Sequence, residues 1–160
     1  NLIKKVYGGA ILFKRPTIDT PVDQVVYEET SEKDEIARVA ASLVNDGDVL
    51  FLGADTTVKQ VALHLRKHKK LTVLTDSLYV ANTLLNTDAE LYFMGGNIYH
   101  RGAHLSSLIP LNAWDLYFPD KAIISCDGIT EIFGATHSNP NASDIQRNIL
   151  ARSKNVIVVY

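Results

Sequence analysis

The run Asp46-Gly47-Asp48-Val49-Leu50-Phe51-Leu52-Gly53-Ala54-Asp55-Thr56-Thr57 predicts a strand, a short polar loop and the start of a helix. The apolar residues 49–52 follow a helix stop at Gly47, and the loop after them is built from small and hydroxyl-bearing residues. Unpaired backbone N–H groups and the helix dipole make such a loop attractive to anions, and the two threonine hydroxyls can add donors or cap the helix. We therefore predict that Gly53–Thr57 binds a small phosphorylated or polyhydroxylated ligand.

Helices and strands alternate on both sides of this run. Apolar residues at positions 36, 39, 40, 43 and 44 predict a helix that begins at Ser31 and ends at Gly47. Further helices are predicted for residues 58–65, 77–85 and 143–154, and apolar strands for residues 48–52, 71–75, 89–94, 121–126 and 155–160.

Near-continuous apolar strands separated by helices are typical of an α/β protein with a mostly parallel sheet that helices cover on both faces. Ligands of such folds bind beyond the carboxyl ends of the strands, at the switch point of the sheet. Those ends carry small and polar residues: Gly53–Thr57, Thr75–Ser77, Gly95–Gly96 and Asp127–Thr130. Three of them have a structural alternative: Gly95–Gly96 can turn the chain, Thr75–Ser77 can cap a helix, and Asp127–Gly128 can form a turn with an Asp cap. We predict one crevice from their convergence on one edge of the sheet.

Three segments fall outside this pattern. Residues 6–13 and 25–27 are predicted to be short strands at the sheet edge or in a small added sheet. Residues 97–120 are irregular, and their Trp114, Tyr117 and Phe118 are candidates for a packed surface or an interface in a homo-oligomer. The residues after Asp127-Gly128, as far as Asn141, are expected to form a polar loop.

Composition limits the class of protein. With 160 residues, of which 46% are apolar and 21% charged, the chain suits one globular domain with a sizeable core. Its apolar runs are too short for a membrane span and no signal peptide is visible; without an initial Met, we expect a fragment of a longer protein. A net charge of −2, with the basic residues 66–70 at a predicted helix end, argues against tight DNA binding by this chain. The single Cys126 indicates a buried, reduced thiol in a cytoplasmic protein.

Catalytic and metal-binding motifs are missing from the sequence. The five histidines lack cysteine or acidic partners at metal-ligand spacing, and no HExxH, GxSxG, P-loop or GxGxxG motif occurs. Ser125-Cys126-Asp127 has no identifiable base, which argues against nucleophilic catalysis. We therefore expect neither a metal nor a cofactor.

The sequence contains an ordered set of short fragments: Tyr7–Ala10, Glu32–Lys33, Ile36–Ala37, Ala40–Ala41, Asp46–Asp48, Thr56–Thr57, Leu71–Leu78, Met94–Gly96, Gly102–Ala103, Asp127–Ile129, Gly134–Thr136, Arg147 and Ser153. Over essentially all 160 residues, this set resembles the C-terminal sugar-sensing domain of DeoR-family bacterial transcriptional regulators. The resemblance implies a fold similar to ribose-5-phosphate isomerase and CoA transferases. It also implies an effector, usually a phosphorylated sugar or related metabolite, bound by the strand-end residues and Arg147. A winged helix-turn-helix at the N-terminus, absent here, would bind operator DNA.

Two departures from the family pattern bear on the ligand. The family's first strand usually ends in Asp-Ser-Gly-Thr-Thr, where this chain has Gly53-Ala54-Asp55-Thr56-Thr57, and the family's Asn-Ser after the second strand is Asp76-Ser77. A carboxylate beside a phosphate in a poorly solvated site would repel it by several kcal/mol. Either Asp55 and Asp76 cap helices or bind hydroxyls, or the effector is not an ordinary phosphosugar. The family's continuation into an Asp-x-Ser-Lys motif falls after Tyr160.

Three functions remain open from sequence. The first, which we favour, is a non-catalytic effector-binding and oligomerisation domain whose ligand changes the operator affinity of a regulator, usually a repressor. The second is a sugar-phosphate isomerase with Asp127 as acid/base near Gly53–Thr57. Against it, no second carboxylate directly follows Asp127-Gly128 and no Gly-rich, Lys-bearing loop is present. The third is a degenerate domain that dimerises without a ligand.

Overall fold

The computed structural model describes residues 2–6, 9–13, 31–94, 97–99, 104–106, 116–137 and 146–160. Its elements in chain order are β1 (Leu2–Val6), β2 (Gly9–Phe13), α1 (Ser31–Ser42), β3 (Val49–Leu52), α2 (Thr56–Leu65), β4 (Thr72–Thr75), α3 (Leu78–Leu84), β5 (Glu90–Phe93), β6 (Asn97–Tyr99), β7 (His104–Ser106), β8 (Lys121–Ile124), β9 (Gly128–Thr130), β10 (Gly134–Thr136) and β11 (Asn155–Val158). Residues 146–150 are also helical. No helix in these ranges is long and apolar enough to cross a membrane.

Five parallel strands form the central sheet, in the order β11–β8–β3–β4–β5. The chain starts the sheet at its centre with β3 and extends it through β4 and β5 on one side. It then returns to add β8 and β11 on the other side. The direction of winding therefore changes between β3 and β8, which makes their carboxyl ends the switch point of the sheet. The predicted α/β fold with a mostly parallel sheet is confirmed.

Helices cover both faces of this sheet, as predicted. Because side chains alternate along a strand, Leu50 and Leu52 of β3 pack with helices α1 to α3, whereas Phe51 packs on the opposite face with Ile149 of the last helix. The apolar stripe predicted on α2 is confirmed, since its members are 0–1% exposed: Val58, Val61, Ala62 and Leu65.

The end predicted for α1 was wrong. The helix ends at Ser42 rather than near Gly47, and Gly47 instead forms the turn before β3 with φ +84°. Val39 and Leu43, two members of the apolar repeat that predicted this helix, are 51% and 52% exposed. The helix packs through its small residues Ala37, Ala40 and Ala41, which allow close approach to α2. Val39 and Leu43 consequently line an apolar groove of about 350 Å³ beside β11.

The structure has three antiparallel strand pairs that the sequence analysis did not predict as pairs. Residues 2–6 and 9–13 form the separate pair β1–β2, and β6 pairs with β7 inside the segment predicted to be irregular. The segment after Asp127, predicted as a polar loop, contains the pair β9–β10, whose turn uses Gly134 at φ +66°. The central strands are one or two residues shorter than predicted.

The aromatic residues proposed as interface candidates have different surroundings. Tyr117 packs on Tyr92 of β5, with ring centroids 5.2 Å apart, so it contributes to the core on the Phe51 face. Phe118 is 65% exposed. Trp114, the predicted strand at residues 25–27 and the predicted cap Ser143 lie outside the described residues.

Candidate functional site

The carboxyl end of β3 lies directly against β8 at the switch point. The backbone N–H of Gly53 donates to the Ile123 carbonyl at 3.0 Å, and a Cβ on Gly53 would lie 3.7 Å from Ile123 O and Ile124. The chain then leaves the sheet through the half-buried residues 54–55 and enters α2 at Thr56. The predicted ligand loop therefore lies at the position where α/β proteins bind their ligands.

Hydrogen bonds fix the loop after β4 against the same edge. The Thr75 hydroxyl donates to the Leu52 carbonyl at 2.7 Å and accepts from the Ser77 backbone N–H at 3.0 Å. Ser77 caps α3, because its hydroxyl accepts from the Val80 N–H at 3.3 Å. Asp76 is consequently held between two anchored neighbours.

Asp76 is a buried carboxyl group that does not cap a helix. It is 5% exposed, and among the described residues its Oδ1 atom has no hydrogen-bond partner. The pKa of Asp76 is raised from 3.8 to about 7, mainly by burial; its own backbone N–H acts in the opposite direction, and the negative charge of Asp55 contributes to the rise. The capping role that sequence left open for this segment belongs to Ser77.

Asp55 occupies the N-cap position of α2 in an extended conformation, with φ −95° and ψ 161°, yet its side chain makes no capping hydrogen bond. Its charge instead acts on Asp76 and on the Cys126 thiol. A carboxylate at a helix N-terminus is favoured by the dipole, so Asp55 already places a negative charge where an anionic ligand was predicted.

The end of β8 brings a third carboxylate to this edge. Cys126 is 7% exposed and unpaired by disulfide, and burial raises its pKa. The charges of Asp127 and Asp55 raise that pKa as well, so two carboxylates from different loops lie near one thiol. A buried thiol with a raised pKa is unreactive, in line with the structural role predicted for Cys126.

A cavity of about 360 Å³ lies beside Asp127, beneath the β9–β10 hairpin. The hairpin is tied to the strand end by the Asp127 N–H, which donates to the Thr136 carbonyl at 2.9 Å. His137 Nδ1 lies 3.9 Å from Asp127 Oδ2, while His137 Nε2 is buried without a partner in the described part of the chain. Arg147 lines the cavity from the last helix, with Gln146 beside it.

Sequence reasoning missed Thr136, His137 and Gln146. Thr136 and His137 are placed by the β9–β10 hairpin, which was predicted as a loop, whereas Gln146 lies on the last helix beside Arg147. The available signal was Gly134 between the β-branched residues Thr130 and Thr136, a pattern typical of a short hairpin.

The structure brings together three of the predicted strand ends: Gly53–Thr57, Asp76–Ser77 and Asp127–Gly128. Arg147 lies in the adjoining cavity and is exposed. Gly95 and Gly96 are outside the described residues. Within the described ranges, no group of three or more His, Cys, Asp or Glu side chains could hold a metal ion. The involvement of these residues in ligand binding stays a prediction.

Similarity to known proteins agrees with this geometry. The chain is 34% identical to the HTH-type transcriptional repressor GlcR of Bacillus subtilis, over 99% of this chain and 61% of the repressor. It is 29% identical to the glycerol-3-phosphate regulon repressor of Escherichia coli, over 99% of this chain and 63% of that protein. The chain therefore spans less than two thirds of the length of these relatives.

A likeness to solved structures concerns the fold. Ribose 5-phosphate isomerase from Plasmodium falciparum superposes with a TM-score of 0.57 at 16% identity, over 80% of this chain and 49% of the isomerase. A family model for the DeoR C-terminal sensor domain matches residues 28–160. This chain belongs to the DeoR family of transcriptional regulators, in which it is a C-terminal sensor domain.

Proposed function

We propose that residues 1–160 form the effector-binding domain of a DeoR-type regulator of sugar metabolism, and that a phosphorylated sugar or related metabolite binds at the switch point. The observation that carries this proposal is the meeting of the loops after β3, β4 and β8 at one edge of the sheet. In a family of sensors, this edge is the position at which a small ligand contacts several loops at once.

The charges of this edge indicate how such an effector would lie. A phosphoryl group is disfavoured beside Asp55 and Asp76, because like charges repel strongly where water is scarce. The neighbouring cavity is lined by Arg147, whose guanidinium group suits a phosphoryl group. Asp127 is 53% exposed between the two regions and would accept hydrogen bonds from sugar hydroxyls. The remaining members of the proposed site are Gly53–Thr57, Ser77, Gly95, Gly96 and Gly128.

Effector binding would act on DNA through a change of population between arrangements of the regulator. A ligand that prefers one arrangement shifts the equilibrium toward it by its difference in affinity. The relative GlcR is named an HTH-type repressor and is longer than this chain, which supports a DNA-binding region elsewhere in the protein. We propose that this domain itself forms homo-oligomers in the cytoplasm and catalyses no reaction.

A thermal-shift screen of this chain against sugar phosphates and free sugars tests the proposal. A ligand present at 100 times its Kd stabilises the native state by about 2.7 kcal/mol, which raises the melting temperature. Thr56→Val and Asp127→Asn should lose the shift without a change in the melting temperature of the free domain. Asp88→Asn, an exposed carboxylate before β5, is the matched control and should retain it.

Two results would contradict the proposal. Turnover of a pentose or amino-sugar phosphate that disappears in Asp127→Asn would establish an isomerase. A chain that dimerises in analytical ultracentrifugation, yet is stabilised by no sugar or sugar phosphate, would be a scaffold without an effector.

A further inference from the structure

Two carboxyl groups, Asp55 and Asp76, follow the carboxyl ends of the neighbouring strands β3 and β4. The Thr75 hydroxyl joins these ends through the Leu52 carbonyl at 2.7 Å, and Asp76 follows directly. Asp55, three residues after Leu52, is close enough for its charge to act on Asp76. Neither side chain caps the helix that it precedes.

Asp76 lacks a donor that its burial requires. The whole residue is only 5% exposed. Its Oδ1 atom is buried and has no hydrogen-bond partner among the described residues. A buried carboxyl oxygen without a donor destabilises the folded protein, and a second negative charge nearby adds to that cost. Among the groups that act on Asp76, Asp55 is the charged one, and its sign is unfavourable.

We propose that Asp55 and Asp76 form a subsite for a primary ammonium group of the effector, so that the ligand class is an amino sugar or amino polyol. This inference rests on the proposed function, because it assigns a ligand group to the same crevice.

The chemistry of the two carboxylates separates three kinds of ligand group. A phosphoryl group would add negative charge beside the buried Asp76 and the half-buried Asp55, whose charges already repel one another. A hydroxyl group can donate one hydrogen bond to Asp76 but leaves the repulsion from Asp55 in place. An ammonium group donates up to three hydrogen bonds and carries the opposite charge, so it satisfies Oδ1 of Asp76 and removes the repulsion. The pKa of Asp76, about 7, means that little free energy is needed to ionise it at neutral pH.

The test compares sugars that differ only at one substituent. Titration calorimetry of this chain at pH 7 would use glucosamine, glucose and N-acetylglucosamine, each with and without a 6-phosphate. A second series would use galactosamine, galactose and N-acetylgalactosamine in the same two forms. We expect the amino sugar to bind at least tenfold more tightly than its hydroxyl parent. The N-acetyl sugar, which keeps the nitrogen but loses the charge, should bind no better than the parent.

Isosteric variants assign this preference to the two carboxylates. Asp76→Asn and Asp55→Asn should each reduce the ratio of amino-sugar to parent affinity toward one, whereas the control Asp88→Asn should keep it. Circular dichroism of each variant confirms that the fold is retained.

The outcomes separate the inference from the function beneath it. Equal or tighter binding of a hydroxyl sugar by the unmodified chain, or a preference that survives both Asn variants, would overturn the ammonium subsite while leaving the effector domain intact. If no sugar of any series binds, the proposed function and the subsite both fail.

Discussion

The two edges of the central sheet hold their carboxylates in opposite ways. At the amino edge, Asp48 accepts a hydrogen bond from the Lys121 ammonium at 2.5 Å, and both side chains are about 14% exposed. Asp120 accepts from the Val49 N–H at 2.9 Å and from the Lys154 ammonium at 2.6 Å. Each of these carboxylates is paired with a cation, and together they join the first residues of β3, β8 and β11.

At the carboxyl edge, like charges are gathered instead. Asp76 is buried with an oxygen that lacks a donor in the described structure, and Asp55 raises its pKa. Asp55 and Asp127 both raise the pKa of the buried Cys126 thiol. The paired Asp48 and Asp120 therefore stabilise the amino edge, whereas the buried Asp76 destabilises the carboxyl edge.

This difference supports our proposal that the carboxyl edge of the sheet binds the ligand. Carboxylates with perturbed pKa values and unsatisfied atoms are concentrated at functional sites, where they reduce stability in exchange for binding. The amino edge has donors for its carboxylates and serves to fix the strands. If removal of a carboxylate changed the free energy of unfolding in the same direction at both edges, this contrast would not hold. The following variants measure that change.

The largest expected effect is the pH dependence that Asp76 imposes on stability. Between its unfolded value of 3.8 and its folded value of about 7, the native state holds a proton that the unfolded chain releases. The free energy of unfolding should therefore fall as the pH rises through this range, by roughly 4 kcal/mol from Asp76 alone. Asp76→Asn removes this contribution, so the variant should be more stable than the parent at pH 8. Urea unfolding at pH 4.5 to 8 measures the difference.

Asp88→Asn serves as the control, since it removes an exposed carboxylate and should change stability little at any pH. If the free energies of unfolding of Asp76→Asn and the parent differ by the same amount at every pH, the pKa of Asp76 is not raised in the folded protein.

A slightly smaller change in the free energy of unfolding is expected when the ion pair at the amino edge is broken. Lys121→Met leaves the Asp48 carboxylate largely buried without its cation, and should reduce the free energy of unfolding by about 3 kcal/mol. The double variant Lys121→Met/Asp48→Asn should recover most of this loss, which a double-mutant cycle at pH 7 would show. Stabilisation by Lys121→Met would remove the contrast between the two edges.

The sequence was sufficient to predict the sheet and the meeting of its strand ends at one edge. Apolar runs such as Val49–Leu52 define parallel strands, and parallel strands necessarily place their carboxyl ends on one edge, so Gly53–Thr57 and Asp127–Gly128 were predicted together. The α2 stripe was also predictable, because a buried helix face repeats with the helical period.

Other features depend on contacts that no local pattern contains. Val39 and Leu43 fit the helical period as well as core residues do, but Ala37 and Ala41 face α2 instead. Whether Asp55 caps its helix depends on its side-chain conformation, which residue type does not determine. The cavity at His137 exists because the β9–β10 hairpin folds back over the sheet edge.

A moderate effect with the opposite pH dependence is expected at Asp120. The hydrogen bond from Lys154 lowers the pKa of Asp120, with the Val49 N–H acting in the same direction. Its contribution to stability is therefore present at neutral pH and is lost as the pH falls below about 4. Asp120→Asn should cost roughly 1 to 2 kcal/mol at pH 7 and progressively less in acid, as measured by urea unfolding. A loss that grows on acidification would contradict this assignment.

The smallest changes in stability come from matched Gly→Ala substitutions on the two edges. Gly47, at the amino edge, has φ +84°, and although an added Cβ meets nothing within 4 Å, the left-handed backbone itself should cost about 1 kcal/mol. Gly53, at the carboxyl edge, is outside the left-handed region, and its Cβ would make ordinary contacts at 3.7 Å with Ile123 and Ile124. Gly53→Ala should therefore change the free energy of unfolding by less than about 0.5 kcal/mol.

Gly53→Ala costs less stability than Gly47→Ala in the free domain, but it should have the larger effect on the thermal shift caused by an effector. The added methyl group of Gly53→Ala narrows the approach between β3 and β8, so the thermal shift caused by an effector should be reduced or lost, while Gly47→Ala should keep the full shift from a lower starting temperature. If Gly53→Ala binds the effector as well as the parent chain does, the ligand does not approach the backbone at the switch point. The gathered carboxylates would then need another explanation.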